Sequence, residues 1–204
     1  KSKSPSSGLE RVKVYGPSGR AARTGVGIFA AAFTRAFPLL PVEEEGRLGD
    51  PALRESFVER IFVMQRFRAL LQGGRTLGRL VEFHTRHKLL LLSHSTVHYR
   101  ELGRLVAAGK TLAPRALLDQ YAEGLMAGLR LRATRAKHVN VLQHALGYFK
   151  HQLGPDEKQE VAEVLERYRQ GFVPLVVPLT LLDHFVRRYD QAYLREQHYL
   201  QPHP

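Results

Sequence analysis

The stretch that decides the fold of this chain is ATRAKHVNVLQHALGYFKHQL, residues 133–153. Its large apolar residues follow one another at steps of three, four, three and four, which places them on one face of an α-helix. These residues are Val139, Leu142, Leu146, Phe149 and Leu153. The other side carries cations, amides and imidazoles and no acidic residue. The spacing therefore predicts a helix with one buried face and one basic, polar face.

Helical patterns continue on both sides of this stretch. Asp50 before Pro51 is typical of a helix start, and Pro114 and Pro155 each suit the first turn of a further helix. The predicted helices span residues 51–72, 76–108 (two helices or one bent helix), 114–130, 133–153, 155–170, 179–189 and 190–200. Because nothing beyond residue 75 indicates a strand, residues 75–204 are predicted to form an all-α domain.

The first 74 residues show a different pattern. Val12 and Val14 alternate with charged residues, which predicts a short strand, and the glycines and proline of residues 16–19 predict a turn. The Ala-rich residues 24–37 predict a buried helix. Strand, turn and helix in this order are typical of the last βα unit of an α/β domain, and they are too few to bury a core alone. The fold class is therefore predicted as mainly α, with a partial α/β segment in residues 1–74.

The charge of the chain points to a nucleic-acid partner. Lys and Arg number 31 against 19 Asp and Glu, which gives a formal net charge of +12. Arginine is well suited to phosphate because its planar fork donates two parallel hydrogen bonds. A solvated basic surface with no partner is the alternative. No segment has the basic and aromatic faces of a membrane-surface helix, no apolar run reaches the roughly 18 to 20 residues of a membrane span, and no signal peptide is visible. A cytoplasmic protein is expected.

The polar face of the 133–153 helix is the clearest candidate site. Cations, amides, imidazoles and a glycine that permits close approach suit contacts to phosphates and bases. An ordinary solvated face is the alternative, but such faces mix charges of both signs, as residues 155–170 do. The candidate RNA-binding residues here are Arg135, Lys137, His138, Asn140, Gln143, His144 and Lys150.

Histidines and aromatic residues offer further candidates. His84, His87 and the adjacent Lys88 are also candidate RNA contacts. Histidines at this spacing can also chelate a metal, although no cysteine and no His-Glu-x-x-His pattern accompanies them, and neutral histidines near the core are favoured over both. Six aromatic residues could stack on unpaired bases, but at helical spacing a core position is favoured. They are Tyr148, Phe149, Tyr168, Tyr189, Tyr193 and Tyr199.

Residues 1–48 resemble the C-terminal half of the TudS-type thiouracil desulfidase domain. The matching stretches are residues 1–8, 10–15, 25–30, 37–38 and 41–48. The family's opening motif ends Ser-Pro-Ser-Cys-Gly, and its cysteine is one of three that hold a four-iron–four-sulfur cluster. Ser7 occupies the position of that cysteine. On this resemblance Ser4, Ser6 and Glu44 are the candidate catalytic residues, and Glu44 could serve proton transfer or simply balance nearby arginines.

The remainder resembles the YbgA-like domain. The matching stretches are residues 83–88, 134–144, 147–150, 168–171, 174–184 and 197–200. The fused arrangement resembles the RudS-type desulfidases, which remove sulfur from 4-thiouridine in tRNA. The resemblance implies a desulfidase part in residues 1–74 and a tRNA-binding part in residues 75–204.

The absence of cysteine is the main departure from the desulfidase pattern. The resemblance implies that two of the three cluster cysteines lie upstream of Lys1, and a serine hydroxyl is a poor iron ligand. The start within a Ser/Lys-rich stretch suggests a fragment, and a flexible natural terminus is the alternative. The cluster is therefore expected in the parent protein and not on this chain, which is expected to be inactive alone. The leading hypothesis is the tRNA-binding part of a tRNA 4-thiouridine desulfidase. A non-catalytic nucleic-acid or protein interaction module is the alternative.

Overall fold

The computed structural model describes residues 8–9, 12–15 and 21–204, and these are mainly helical. The elements are β1 (Val12–Tyr15), β2 (Ala21–Gly25), α1 (Ile28–Ala36), α2 (Pro51–Gln72), α3 (Leu77–His94), α4 (Thr96–Ala107), α5 (Pro114–Arg130), α6 (Arg135–Leu146), α7 (Pro155–Gln170), α8 (Val176–Arg188) and α9 (Ala192–Arg195). Short 3-10 turns cover Glu45–Arg47, Gly109–Thr111 and Gly147–Phe149. The chain forms two compact units, Lys1–Met64 and Gln65–Pro204, which divide within α2. The boundary after residue 74 between the desulfidase-like part and the YbgA-like part stays a prediction.

The strands of the first unit correct the α/β prediction. β1 and β2 are antiparallel, with Val12 opposite Gly25 and Tyr15 opposite Ala21. A terminal βα unit places its strand in a parallel sheet, so the described residues do not support an α/β segment. The helix predicted from residue 24 starts at Ile28, because residues 21–25 pair with β1 instead. The turn predicted at residues 16–19 lies outside the described residues.

Helix α1 leaves its large apolar side chains exposed. Ala30 is its one buried residue, whereas the side chains of Ile28 and Phe29 are 84% and 64% exposed. A helix in a complete core normally buries an apolar stripe of this kind. The expectation that residues 1–74 do not bury a core alone stays a prediction.

Local capping signals start several helices of the second unit where the sequence predicted them. The helix predicted over residues 133–153 is shorter than expected, because it ends at Leu146 and a 3-10 turn follows. The carboxylate of Asp50 accepts the backbone N–H of Ala52 and starts α2, which runs into this unit. The hydroxyl of Ser95 accepts the N–H of His98, so residues 76–108 form two helices, not one bent helix. Helices α5 and α7 have the predicted bounds. The last predicted helix shrinks to the four residues of α9.

Helix α6 lies at the centre of the second unit. It packs against α3 on one side and against α7 and α8 on the other. Leu142, Phe149 and Leu153 of the predicted core face are buried, while Val139 and Leu146 are half-buried. Val141 and Ala145 are buried in addition. The buried surface is therefore wider than the predicted stripe, because helices enclose α6 from more than one direction.

Candidate nucleic-acid interface

Most of the predicted polar face of α6 is open to solvent. The exposed residues are Arg135, Asn140, Gln143, His144 and Lys150. Arg135 lies over Gly171, where a β-carbon would come 2.7 Å from the guanidinium nitrogen Nη1. Gly171 ends α7 with a φ of +86°, so both its backbone and this close approach favour glycine. This face can meet phosphates and base edges.

Lys137 has a different role from its neighbours on this face. Its ammonium group donates to the carbonyl oxygens of His94, at 2.6 Å, and Arg132, at 2.8 Å. His94 is the last residue of α3, whose free carbonyl groups carry partial negative charge. Lys137 therefore joins the end of α3 to the turn before α6.

A pair of lysine variants separates this structural role from RNA binding. We expect Lys137→Met to lower the free energy of unfolding by about 1.5–3 kcal/mol, because a charged donor is lost from two carbonyl groups. Lys150→Met should change it by less than about 0.5 kcal/mol, because Lys150 is exposed. Urea unfolding followed by circular dichroism measures both values. Equal effects of the two substitutions would contradict the assignment.

Three of the predicted RNA-binding histidines are tied to the interior. His84 Nδ1 lies 3.0 Å from the Tyr121 hydroxyl, and burial, with some contribution from Lys88, lowers the pKa of His84 to about 4. His138 Nδ1 lies 3.0 Å from the Tyr199 hydroxyl, and burial, followed by His94 and Lys137, lowers its pKa to about 4.

His87 is the third. Its Nδ1 lies 2.7 Å from the carbonyl oxygen of Phe83, and burial, followed by the neighbouring His198, lowers its pKa to about 3. His87 and His138 are therefore buried and His84 is half-buried, as expected for histidines in or near the core. Their contacts to RNA stay predictions. His138 is buried and does not present its ring to a surface ligand.

Two tyrosines with adjacent cationic and imidazole groups form a cluster whose members the sequence named separately, as possible base-stacking or RNA-binding residues. The rings of Tyr148 and Tyr193 stack with centroids 5.2 Å apart and planes 22° apart. The Lys88 ammonium lies 4.9 Å from the centre of the Tyr193 ring, and the His144 ring meets Tyr148 edge-on. Tyr148 is 38% exposed. We call Lys88, His144, Tyr148 and Tyr193 the tyrosine platform. The sequence favoured a core position for the two tyrosines and did not show that the four residues lie together.

A cleft lined by arginine and histidine lies elsewhere in the second unit. Its volume is about 350 Å³, and its polar lining residues are Arg66, Arg79, Glu82, Arg86, His87 and His198. A neighbouring hollow of about 440 Å³ shares Arg66, Arg86 and His198. Apart from His87, the sequence did not indicate these residues, because α2, α3 and the C-terminal segment come together only in the fold.

Comparisons with known proteins place this unit in a family. A family model described as "Protein of unknown function (DUF1722)" matches residues 88–204. The chain belongs to the DUF1722 family. It is 34% identical over 153 residues to the uncharacterized protein YbgA of Escherichia coli strain K12. The aligned region covers 74% of this chain and 89% of YbgA. No solved structure gives a significant match. The resemblance to the YbgA-like domain is therefore confirmed.

The first unit of this DUF1722 protein places one of the candidate catalytic residues. Glu44 accepts the backbone N–H of Leu9 at 2.9 Å, so its carboxylate holds the chain that follows the Ser-rich motif. The neighbouring Glu43 pairs with Arg47 and Arg60, each at 3.1 Å. The other candidates Ser4, Ser6 and Ser7 lie outside the described residues.

The residues of this chain do not fit a four-iron–four-sulfur cluster. Such clusters are held by cysteine thiolates, and the chain has no cysteine. Within residues 8–9, 12–15 and 21–204 no three His, Asp or Glu side chains are grouped as metal ligands. Nor does any helix in that part of the chain have the length and apolar character to cross a membrane.

Proposed function

We propose that this chain is the tRNA-binding part of a tRNA 4-thiouridine desulfidase. The observation that carries the binding role is the tyrosine platform. Stacked tyrosines with an exposed face accept unpaired bases, which contributes about 1–3 kcal/mol per base. The Lys88 cation beside them suits the adjoining phosphate.

The exposed face of α6 supports the same role. It supplies two guanidinium or ammonium groups, Arg135 and Lys150, and two amides, Asn140 and Gln143. No acidic residue lies between residues 133 and 153, so the local field favours a polyanion. His144 belongs to both this face and the platform, which makes them one continuous candidate surface.

The desulfidase assignment rests on the resemblance of residues 1–48 to that family. The exposed apolar side chains of α1 support it, because they suit a helix that belongs to a larger domain. Since this chain has no cysteine, we assign sulfur removal to the cysteine-bearing part of the parent protein. The role proposed for this chain is to hold the tRNA.

Filter binding of tRNA at about 50 and 200 mM salt tests the binding role. Each phosphate contact lowers the logarithm of affinity by about 0.7–0.9 per logarithm of salt concentration, so a clear salt slope is expected. Absence of salt-dependent retention would overturn the proposal.

The catalytic role is tested on the cysteine-bearing parent, supplied with iron and sulfide without oxygen. Release of sulfide from thiolated tRNA supports it, whereas a parent that binds tRNA and releases none is a non-catalytic module.

One observation favours a protein-interaction module as the second candidate. Phe172 and Val176, in the connection from α7 and at the start of α8, are 72% and 61% exposed, and Val177 is exposed beside them. An exposed apolar group of this kind suits a protein contact. If wild-type protein does not retain tRNA, protein interaction is favoured over tRNA binding as the function of this chain.

A further inference from the structure

Three buried polar atoms of the arginine- and histidine-lined cleft of about 350 Å³ have no hydrogen bond within the described residues. One of them, Arg86 Nε, lies 3.5 Å from Glu196 in an ion pair, which leaves two atoms without either kind of partner. These are Nη1 of Arg66 and Nε2 of His87, and both are buried without a hydrogen bond to any described residue. Buried polar groups in folded proteins are almost always paired, with protein, water or a ligand. Two such atoms lining one cleft indicate a ligand that supplies the missing partners.

His87 can only accept a hydrogen bond at its free nitrogen. Its Nδ1 lies 2.7 Å from the carbonyl oxygen of Phe83, so that nitrogen carries the proton and Nε2 keeps a lone pair. The ring is 3% exposed, stacks on Phe83 with centroids 3.9 Å apart, and lies 4.3 Å from the His198 ring. A ligand must therefore offer this fixed nitrogen an O–H or N–H group.

Arg66 needs a hydrogen-bond acceptor, whereas His87 needs a hydrogen-bond donor. Its Nη2 donates to the carbonyl oxygen of Pro202 at 2.6 Å, and no carboxylate among the described residues forms an ion pair with it. Arg86 in the same cleft differs, because it pairs with Glu82 at 3.0 Å and Glu196 at 3.5 Å. Arg66 is thus a partly buried cation without a counter-ion, which is a favourable place for an anion.

We propose that this cleft binds a ribonucleotide unit of RNA, with the phosphate on Arg66 and the ribose 2′-hydroxyl donating to His87 Nε2. The inference rests on the proposed function and adds a site that discriminates RNA from DNA. A ribonucleotide carries a hydroxyl group, which can donate to His87 Nε2, beside a phosphate, which can accept from Arg66 Nη1. A deoxyribonucleotide lacks the 2′-hydroxyl, which is the group by which proteins tell RNA from DNA.

Affinities for a single-stranded RNA and for the DNA of the same sequence test this site. We expect His87→Phe, which keeps a ring against Phe83, to weaken RNA binding roughly three- to tenfold and to leave DNA binding unchanged. Arg66→Met should weaken RNA and DNA alike. Arg68→Met is the matched control, since Arg68 is exposed on the same helix and does not line the cleft. Unchanged DNA binding also shows that a variant is folded.

The outcomes separate this inference from the proposed function. If wild-type protein binds RNA with the expected salt slope and His87→Phe weakens both nucleic acids equally or neither, the inference is overturned and the proposed function stands. If no nucleic acid binds at any salt concentration, both fall.

Competition with uridine 3′-monophosphate and with inorganic phosphate adds a second measurement. Competition by the nucleotide at lower concentration supports the ribose contact, and equal competition reduces the cleft to a simple anion site, which overturns it.

Discussion

Replacing Tyr148 and Tyr193 together by alanine is expected to lower the affinity of this protein for tRNA by about 10- to 100-fold. The two rings stack on each other, and each removed base–aromatic contact costs about 1–3 kcal/mol. The loss of Tyr193 also removes the ring over which the Lys88 ammonium lies, so the cation is no longer fixed beside the base. Filter binding at one fixed salt concentration measures the change.

Two further variants make the tyrosine result specific. Tyr148→Phe keeps the ring and should retain most of the wild-type affinity, because stacking does not need the hydroxyl. Phe172→Ala removes an exposed aromatic side chain elsewhere in the same unit and should leave the affinity unchanged. Equal losses in the Phe172 variant and in the tyrosine double variant would count against the platform as the binding surface.

The helices of the second unit were predictable because their signals are local. Asp50, Ser95 and Pro114 act within three residues of the helix ends that they set. The family resemblance of residues 75–204 rested on motifs within such helices, and the DUF1722 match confirms the YbgA-like part of it. The desulfidase part of the resemblance stays a prediction.

The features that escaped prediction depend on contacts between distant residues. β2 forms because it pairs with β1, and its last two residues had been assigned to the helix predicted over residues 24–37. Lys137 looked like its neighbours on α6, but the end of α3 lies within reach of its ammonium group. The cleft unites α2, α3 and the C-terminal segment, where Arg66 meets the carbonyl of Pro202, more than a hundred residues away. No pattern along the sequence indicates such contacts between distant residues.

Between pH 7 and pH 5, His87 and His138 together are expected to lower the free energy of unfolding by up to about 4 kcal/mol. His84 and His198 act in the same direction, since burial first of all lowers the pKa of each to about 4. Burial first of all lowers the pKa of His138 to about 4 and that of His87 to about 3, against 6.5 for an unperturbed imidazole. Above pH 6.5 both states are neutral and stability does not depend on these groups. Below pH 6.5 the unfolded chain takes up protons that the folded protein does not, so stability falls as the pH falls toward the folded values. Each buried histidine contributes at most about 2 kcal/mol over the 1.5 pH units between 6.5 and 5.

Urea unfolding at pH 7 and pH 5 measures this loss directly, and the histidine origin is tested with His138→Gln. The amide keeps a polar partner for the Tyr199 hydroxyl and cannot titrate, so this variant should lose about 2 kcal/mol less than wild type between the two pH values. His151→Gln is the matched control, because it removes an exposed imidazole and leaves the buried ones in place. The carboxylates of Glu157 and Glu166 have pKa values below 4.5, chiefly through hydrogen bonds from the Gly154 backbone and from Arg169 respectively, so their stabilising effect is lost only at more acidic pH. A free energy of unfolding that is equal at pH 7 and pH 5 would show that these histidines are not held neutral in the folded protein.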